Sequence, residues 1–227
     1  MDKRTFYDLL SEGYDAKYSD SLNIKMRKEE ERILMTLPLG LTLDIGCGTG
    51  YHSRILKNNG HRVVSADISF EMVKKARDNN NGDFFLVADM EKLPFKRNTF
   101  DSTVSIFGAL NHANITNFKM SLDECLKREG HIIFTVGNIN NILWIIKSLK
   151  QGKNPFRAMK KRKGKISVYH RGKKISVRIR YYSRAEIERI FSSNYSLNMG
   201  TLYPKLTFLP IINNFGRYIV CIGRKSF

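Results

Sequence analysis

Cysteine is scarce in this 227-residue chain: Cys47, Cys125 and Cys221 stand far apart, with no CxxC pair. That pattern excludes a disulfide framework and a zinc site, predicts no bound metal, and suits a reducing, cytoplasmic setting. No apolar h-region lies within Met1–Asp20, so no secretory signal is expected. Long hydrophobic runs are missing too; the most apolar stretch, Ile142–Ile146, is far too short to span a bilayer. Acidic residues are absent from Gly130 to Ala185. Acids and bases balance up to Glu129, so the whole net charge of +18 lies beyond it, where Glu186 and Glu188 are the acids. Such asymmetry points to a polyanionic partner, RNA or an anionic membrane surface, over residues 153–184; the alternative is a solvated basic face.

What is present is an alternation of two periods. Asp2–Tyr18 reads as one helix and Ile24–Met35 as a second. Strands are predicted at Leu41–Ile45, Val63–Ala66, Phe84–Val87, Thr103–Phe107 and His131–Val136, with helices at His52–Asn59, Phe70–Asp78 and Asn117–Lys127 between them. This is the rhythm of βαβ units and a parallel sheet. Continuous apolar strands imply helices on both faces, and Phe84, Phe85 and Phe107 are expected mostly in the core. After Gly137 the rhythm breaks. A helix is predicted over Asn140–Lys150, a polycationic loop over Lys160–Lys165, and a hairpin from Ile166–Tyr169 and Ile175–Tyr181 about Arg171-Gly172. Ser183-Arg-Ala-Glu186 is a capping box. Two strands, Leu197–Tyr203 and Arg217–Gly223, close the chain.

The most informative segment is Asp44-Ile45-Gly46-Cys47-Gly48-Thr49-Gly50, which joins the first strand to a helix. Glycines here let the chain turn sharply and let backbone approach a ligand, while the helix start presents free N–H groups. A dinucleotide fingerprint would put its third glycine where Tyr51 stands, which disfavours NAD and FAD. Asp67 ends the second strand and is placed to accept from ribose hydroxyls; Asp89 ends the third and is placed to accept from an adenine amine. Ligands of open α/β sheets bind at such strand ends.

Residues 43–136 resemble the class I S-adenosylmethionine (SAM) dependent methyltransferases, of the type that methylate ubiquinone, menaquinone and many small molecules. Asp44, Gly46, Gly48 and Gly50 look like motif I, Asp67-Ile68 like the ribose-binding acidic loop, and Asp89-Met90 like the adenine motif. Ser105–His112 is similar to motif IV, and Leu126–Gly130 stands where the family has leucine-lysine-proline-glycine-glycine. The resemblance implies a Rossmann-like, doubly wound α/β fold: a mostly parallel seven-stranded sheet with an antiparallel C-terminal edge strand and a small lid insertion. It divides the chain into an N-terminal helical cap (1–40), a SAM-binding domain (41–137 and 183–227) and a basic lid and hairpin (138–182). SAM is the expected cofactor and S-adenosylhomocysteine the product, with Cys47, Ser105 and Phe107 joining the residues above at the cofactor.

The implied chemistry is an in-line displacement on an already activated methyl, so the protein mainly supplies alignment and a dry site. His112 is the candidate base; a capping or structural histidine is the alternative. Tyr14, Asn111, His112, Trp144, Tyr181 and Tyr203 are the candidate substrate residues. Two acceptors compete: a small or lipid-like molecule, and RNA, since the domain also resembles wobble-uridine tRNA methyltransferases. A SAM-binding regulator without catalysis is a third reading.

Overall fold

The computed structural model describes residues 1–80, 84–202 and 215–226. Five strands run parallel: β1 (Leu41–Ile45), β2 (Arg62–Asp67), β3 (Phe84–Val87), β4 (Phe100–Ser105) and β5 (Leu126–Gly137). With β8 (Tyr195–Leu202) and β9 (Tyr218–Lys225) they form one sheet in the order β3-β2-β1-β4-β5-β9-β8. The antiparallel C-terminal strand is β9, which pairs with β5 and carries β8 outside it. The chain builds outward from β1 to β3, then returns to lay β4 on the other side of β1. That reversal opens a crevice at the carboxyl ends of β1 and β4.

Both faces of the sheet are covered. Leu43, Phe100, Ile132 and Phe134 belong to one buried cluster with α6 (Ile115–Cys125) and α9 (Arg184–Phe191). Val63, Val104 and Ile133 belong to another with α3 (Ser21–Leu34) and α4 (Tyr51–Asn58). Local chemistry sets the helix starts: Asp20 accepts from Leu22 and Asn23 N–H to begin α3, and Ser69 from Met72 to begin α5 (Phe70–Asn79). Half of the expected capping box is present: Ser183 accepts from Glu186 N–H, while the Glu186 carboxylate turns to Arg162 and Arg180.

The sequence is corrected at several places. The single N-terminal helix is broken into α1 (Lys3–Leu10), a tight turn Ser11–Gly13 and a one-turn α2 (Tyr14–Lys17). Glycine supports a helix poorly, and the break turns the chain around the mouth of the crevice. α6 stops at Cys125, because Leu126 already pairs with Phe100. Lys160–Lys165 is not a loop: Pro155–Lys161 is a helix, α8, and Lys163 begins a strand. Phe84, expected in the core, is 74% exposed because β3 is an outer strand.

Beyond Gly137 the chain leaves the sheet, forms α7 (Ile142–Lys150), α8 and the hairpin β6 (Lys163–His170) and β7 (Lys173–Arg180), and returns at a bridge between Asn138 and Tyr182. Arg171 and Gly172 both have positive φ, 46° and 75°, as a two-residue hairpin turn requires. The inner face of the hairpin, through Val177, Ile166, Val168 and Ile175, packs on Phe6 and Leu10 of α1. The basic hairpin and the N-terminal helix therefore form one wall.

Candidate active site

α1 lies along the crevice, with Lys3 and Tyr7 in its lining. Gly46, Cys47, Gly48, Asp67, Ile68, Asp89 and Met90 line the cleft. Tyr14, Phe107 and His112 line it with them. Gly46 must be glycine: its φ is 72°, and a Cβ there would lie 2.5 Å from Cβ of Ala109. Gly50 takes φ 83° as the N-cap of α4 and sits against Asn80 and Ala76 of the α5 segment, outside the cleft.

Asp67 is the best-defined group. Its Oδ2 accepts from Gly48 N–H and its Oδ1 from Ser69 N–H, both at 2.9 Å. Burial pushes the carboxyl up to about 6, against those two N–H groups, which hold it down. Asp44 does not line the cleft. It is buried, accepts from Ser53 Oγ at 2.6 Å, and braces β1 to α4. Ser105 likewise lies beneath the cleft, buried at the end of β4.

α1 brings residues that sequence reasoning missed. Tyr7 Oη lies 2.8 Å from His112 Nε2. Lys3 Nζ donates to Asp89 Oδ1 at 3.3 Å and to Glu91 Oε1 at 3.0 Å. Asp8 accepts from Ser69 Oγ at 2.6 Å. Arg27 of α3 also lines the cleft, with its guanidinium over the Tyr51 ring. A helical aromatic or cation carries no mark of which site it will face, so the sequence held no signal for these. Phe107, which the resemblance placed at the cofactor, lines the cleft; it adopts φ 63°, rare for a bulky residue, just after β4.

The candidate substrate residues fall into two groups. Tyr14 stands 3.8 Å from the place a Gly48 Cβ would occupy, and His112 is half-buried beside Tyr7. Asn111, Trp144 and Tyr181 do not line the cleft. Asn111 is engaged elsewhere, accepting from Gly137 N–H at 3.0 Å and donating to the Arg180 carbonyl at 2.5 Å. It ties the hairpin to β5. Tyr181 packs against Gly137 and Gly164, and Trp144 is half-buried on α7. Tyr203 lies outside the described residues.

His112 is the group expected to act as base. Burial pulls its imidazole down to about 4. The Arg178 backbone works against that pull, and the charge of Lys3 adds to it. A titration of its ring resonances is expected to show a neutral imidazole through pH 5; a midpoint near the ordinary 6.5 would mean that the ring is exposed.

These features agree with what known proteins show. A methyltransferase-domain family model matches residues 43–134. An uncharacterized protein of Methanocaldococcus jannaschii is 38% identical across 99% of this chain and 91% of that protein. DhpI, solved as its SAH complex, superposes with a TM-score of 0.71 at 17% identity, over 99% of this chain and 95% of DhpI. The chain belongs to the class I SAM-dependent methyltransferases. Shorter matches reach enzymes named for different acceptors. The malonyl-[acyl-carrier protein] O-methyltransferase of Buchnera aphidicola is 37% identical over 41% of this chain and 38% of its own length. The 18S rRNA (guanine-N(7))-methyltransferase of Schizosaccharomyces pombe is 36% identical over 44% of this chain and 39% of its own. The residues lining the cleft fit SAM: the Asp67 carboxylate for hydroxyl groups, the apolar side chains of Ile68, Met72 and Met90, and the aromatic rings of Tyr7, Tyr14 and Phe107 for a cationic sulfonium. Among the described residues no cluster could hold a metal ion, and no helix is long and apolar enough to cross a membrane.

Proposed function

We propose that the cleft holds SAM between the Gly46–Gly48 turn, Asp67-Ile68 and Asp89-Met90, and that the methyl passes to a small or lipid-like acceptor at the aromatic wall. The observation that carries this is the Asp67 carboxylate, fixed by two backbone N–H groups in the same cleft as Tyr7, Tyr14, Phe107 and His112. When bound, the cofactor supplies an electrophilic methyl on a sulfonium sulfur. Asp67 binds and orients the ribose. Burial raises the phenols of Tyr7 and Tyr14 well above their ordinary range, so the wall is uncharged at neutral pH and attracts a cation through its ring faces.

His112, with its basicity lowered to about 4, is a weak general base. Its role is to hold the Tyr7 hydroxyl, which then orients the acceptor. α1 excludes water, latched by Lys3 on Asp89 and by Asp8 on Ser69. An acceptor whose nucleophile carries no proton, or loses it readily to water, suits such a site.

RNA is the second reading, favoured by the outer face of the hairpin. There Lys163 stands opposite Arg180, whose charge Glu186 meets, and Lys165 stands opposite Arg178. The second pair sets like charges against each other, which is unfavourable unless an anion separates them. Tyr169, 78% exposed on the same hairpin, is available for base stacking. A non-catalytic SAM-binding role is the third. Methyl-labelled SAM incubated with the lipid, small-molecule and RNA fractions of cells distinguishes them. Label in the first two supports the small or lipid-like acceptor. Label in RNA that disappears with added salt supports the second, and no S-adenosylhomocysteine from any fraction supports the third.

A further inference from the structure

α7 is the most apolar of the described helices, and it is apolar on two sides. Ile142, Trp144 and Ile145 are half-buried beside the buried Ser148. Leu143, Ile146 and Leu149 are 42%, 44% and 57% exposed, and Phe156 on α8 is 68% exposed. At three-residue spacing the first three share one face of the helix. Lys147 and Lys150 are exposed on the same helix and Lys153 follows it. A helix that leaves its aliphatic side in water while bordering it with lysines has the make-up of an interfacial segment.

We propose that α7 and α8 are an interfacial anchor that lays Leu143, Ile146, Leu149 and Phe156 into an anionic lipid surface, with Lys147, Lys150 and Lys153 against the headgroups. Two independent features meet in this occupant. The segment from Gly130 to Ala185 contains no acid, so nothing in it repels an anionic headgroup. The exposed aliphatic row needs an apolar phase, which lipid chains provide. RNA matches the charge but offers no apolar phase to leucine and isoleucine. A second copy matches the apolar row but sets lysine against lysine. The proposal rests on neither SAM binding nor the acceptor.

The test is flotation of the full chain, without SAM, on vesicles of phosphatidylglycerol and phosphatidylcholine in equal parts, compared with phosphatidylcholine alone. Two variants change exposed residues outside the cleft, Ile146→Asn with Leu149→Asn and Lys147→Gln with Lys150→Gln, and their thermal unfolding is followed as a control. Strong partition onto the anionic vesicles is expected, weakened about 30-fold by loss of the two lysines and about tenfold or more by loss of the aliphatic pair. Failure to float with anionic vesicles at moderate salt overturns the proposal. So does partition that the Ile146→Asn, Leu149→Asn variant leaves unchanged. If that variant instead dissolves a dimer of the parent, or abolishes binding to total tRNA, the surface belongs to a second copy or to RNA and the proposal fails.

Discussion

Replacing Asp67 with alanine is expected to weaken SAM binding by about a hundredfold or more while the fold survives. A hydrogen bond to a charged group contributes roughly 1.5–3 kcal/mol, and the carboxylate is assigned to two ribose hydroxyls. Of the two N–H groups it accepts from, that of Gly48 lines the cleft, where water replaces the carboxylate; Ser69 is buried, so the change also costs about 1–3 kcal/mol of stability without unfolding the protein. The sign of the pH dependence follows from burial. The carboxyl is raised to about 6, so it is ionised above that pH and protonated below it. SAM affinity should therefore fall as pH drops through about 6, with Asp44 the neighbouring carboxylate that adds to the upward push. Asp67→Asn should bind weakly and without that pH dependence. Calorimetric titration from pH 5 to 8 reads both; an alanine variant with unchanged affinity would remove Asp67 from the site.

Gly46→Ala should abolish measurable SAM binding and cost roughly 2–3 kcal/mol of stability, within the range of backbone-strain and overpacking substitutions. Two costs add. The backbone at φ 72° is unfavourable for any residue with a Cβ, by about 1–2 kcal/mol. The new methyl would also lie 2.5 Å from Cβ of Ala109, so one of the two must move. Ala109 opens the turn Ala109–His112, which carries Asn111 and His112. Moving it disturbs the Asn111 tie to Gly137 and Arg180 and the Tyr7–His112 contact together. Gly13→Ala is the control: φ there is −116° and nothing lies within 4 Å of the added Cβ, so stability and binding should be unchanged. Chemical denaturation and SAM titration of the two variants separate a local clash from a general effect of losing glycine.

The parallel sheet and the cofactor side of the cleft were legible in the sequence because each rests on a local constraint. Gly46 and Gly48 have the positive φ that their spacing predicted, and Asp67 stands at the end of β2 in the cleft they line. The rest depends on how distant segments dock. Asp44 belongs to the same motif, but its side chain turns under β1 toward Ser53, a direction that alternation along a strand sets and a motif does not. Tyr7, Lys3 and Arg27 reach the cleft because α1 and α3 pack where they do, with Phe6 seated against the hairpin. Trp144 was placed at the substrate side because segments after the fifth strand form the lid in similar enzymes; here it is half-buried on α7, away from the cleft lining. α8 was read as part of a loop because lysine runs resemble loops in composition, although lysine is a good helix former.

The most direct test of the account is a crystal structure of the protein with S-adenosylhomocysteine. The account predicts both ribose hydroxyls on the Asp67 carboxylate, the adenine beside Ile68 and Met90, and the thioether sulfur facing the wall of Tyr7, Tyr14 and Phe107. A ligand bound elsewhere, or one whose ribose contacts neither oxygen of Asp67, would contradict it.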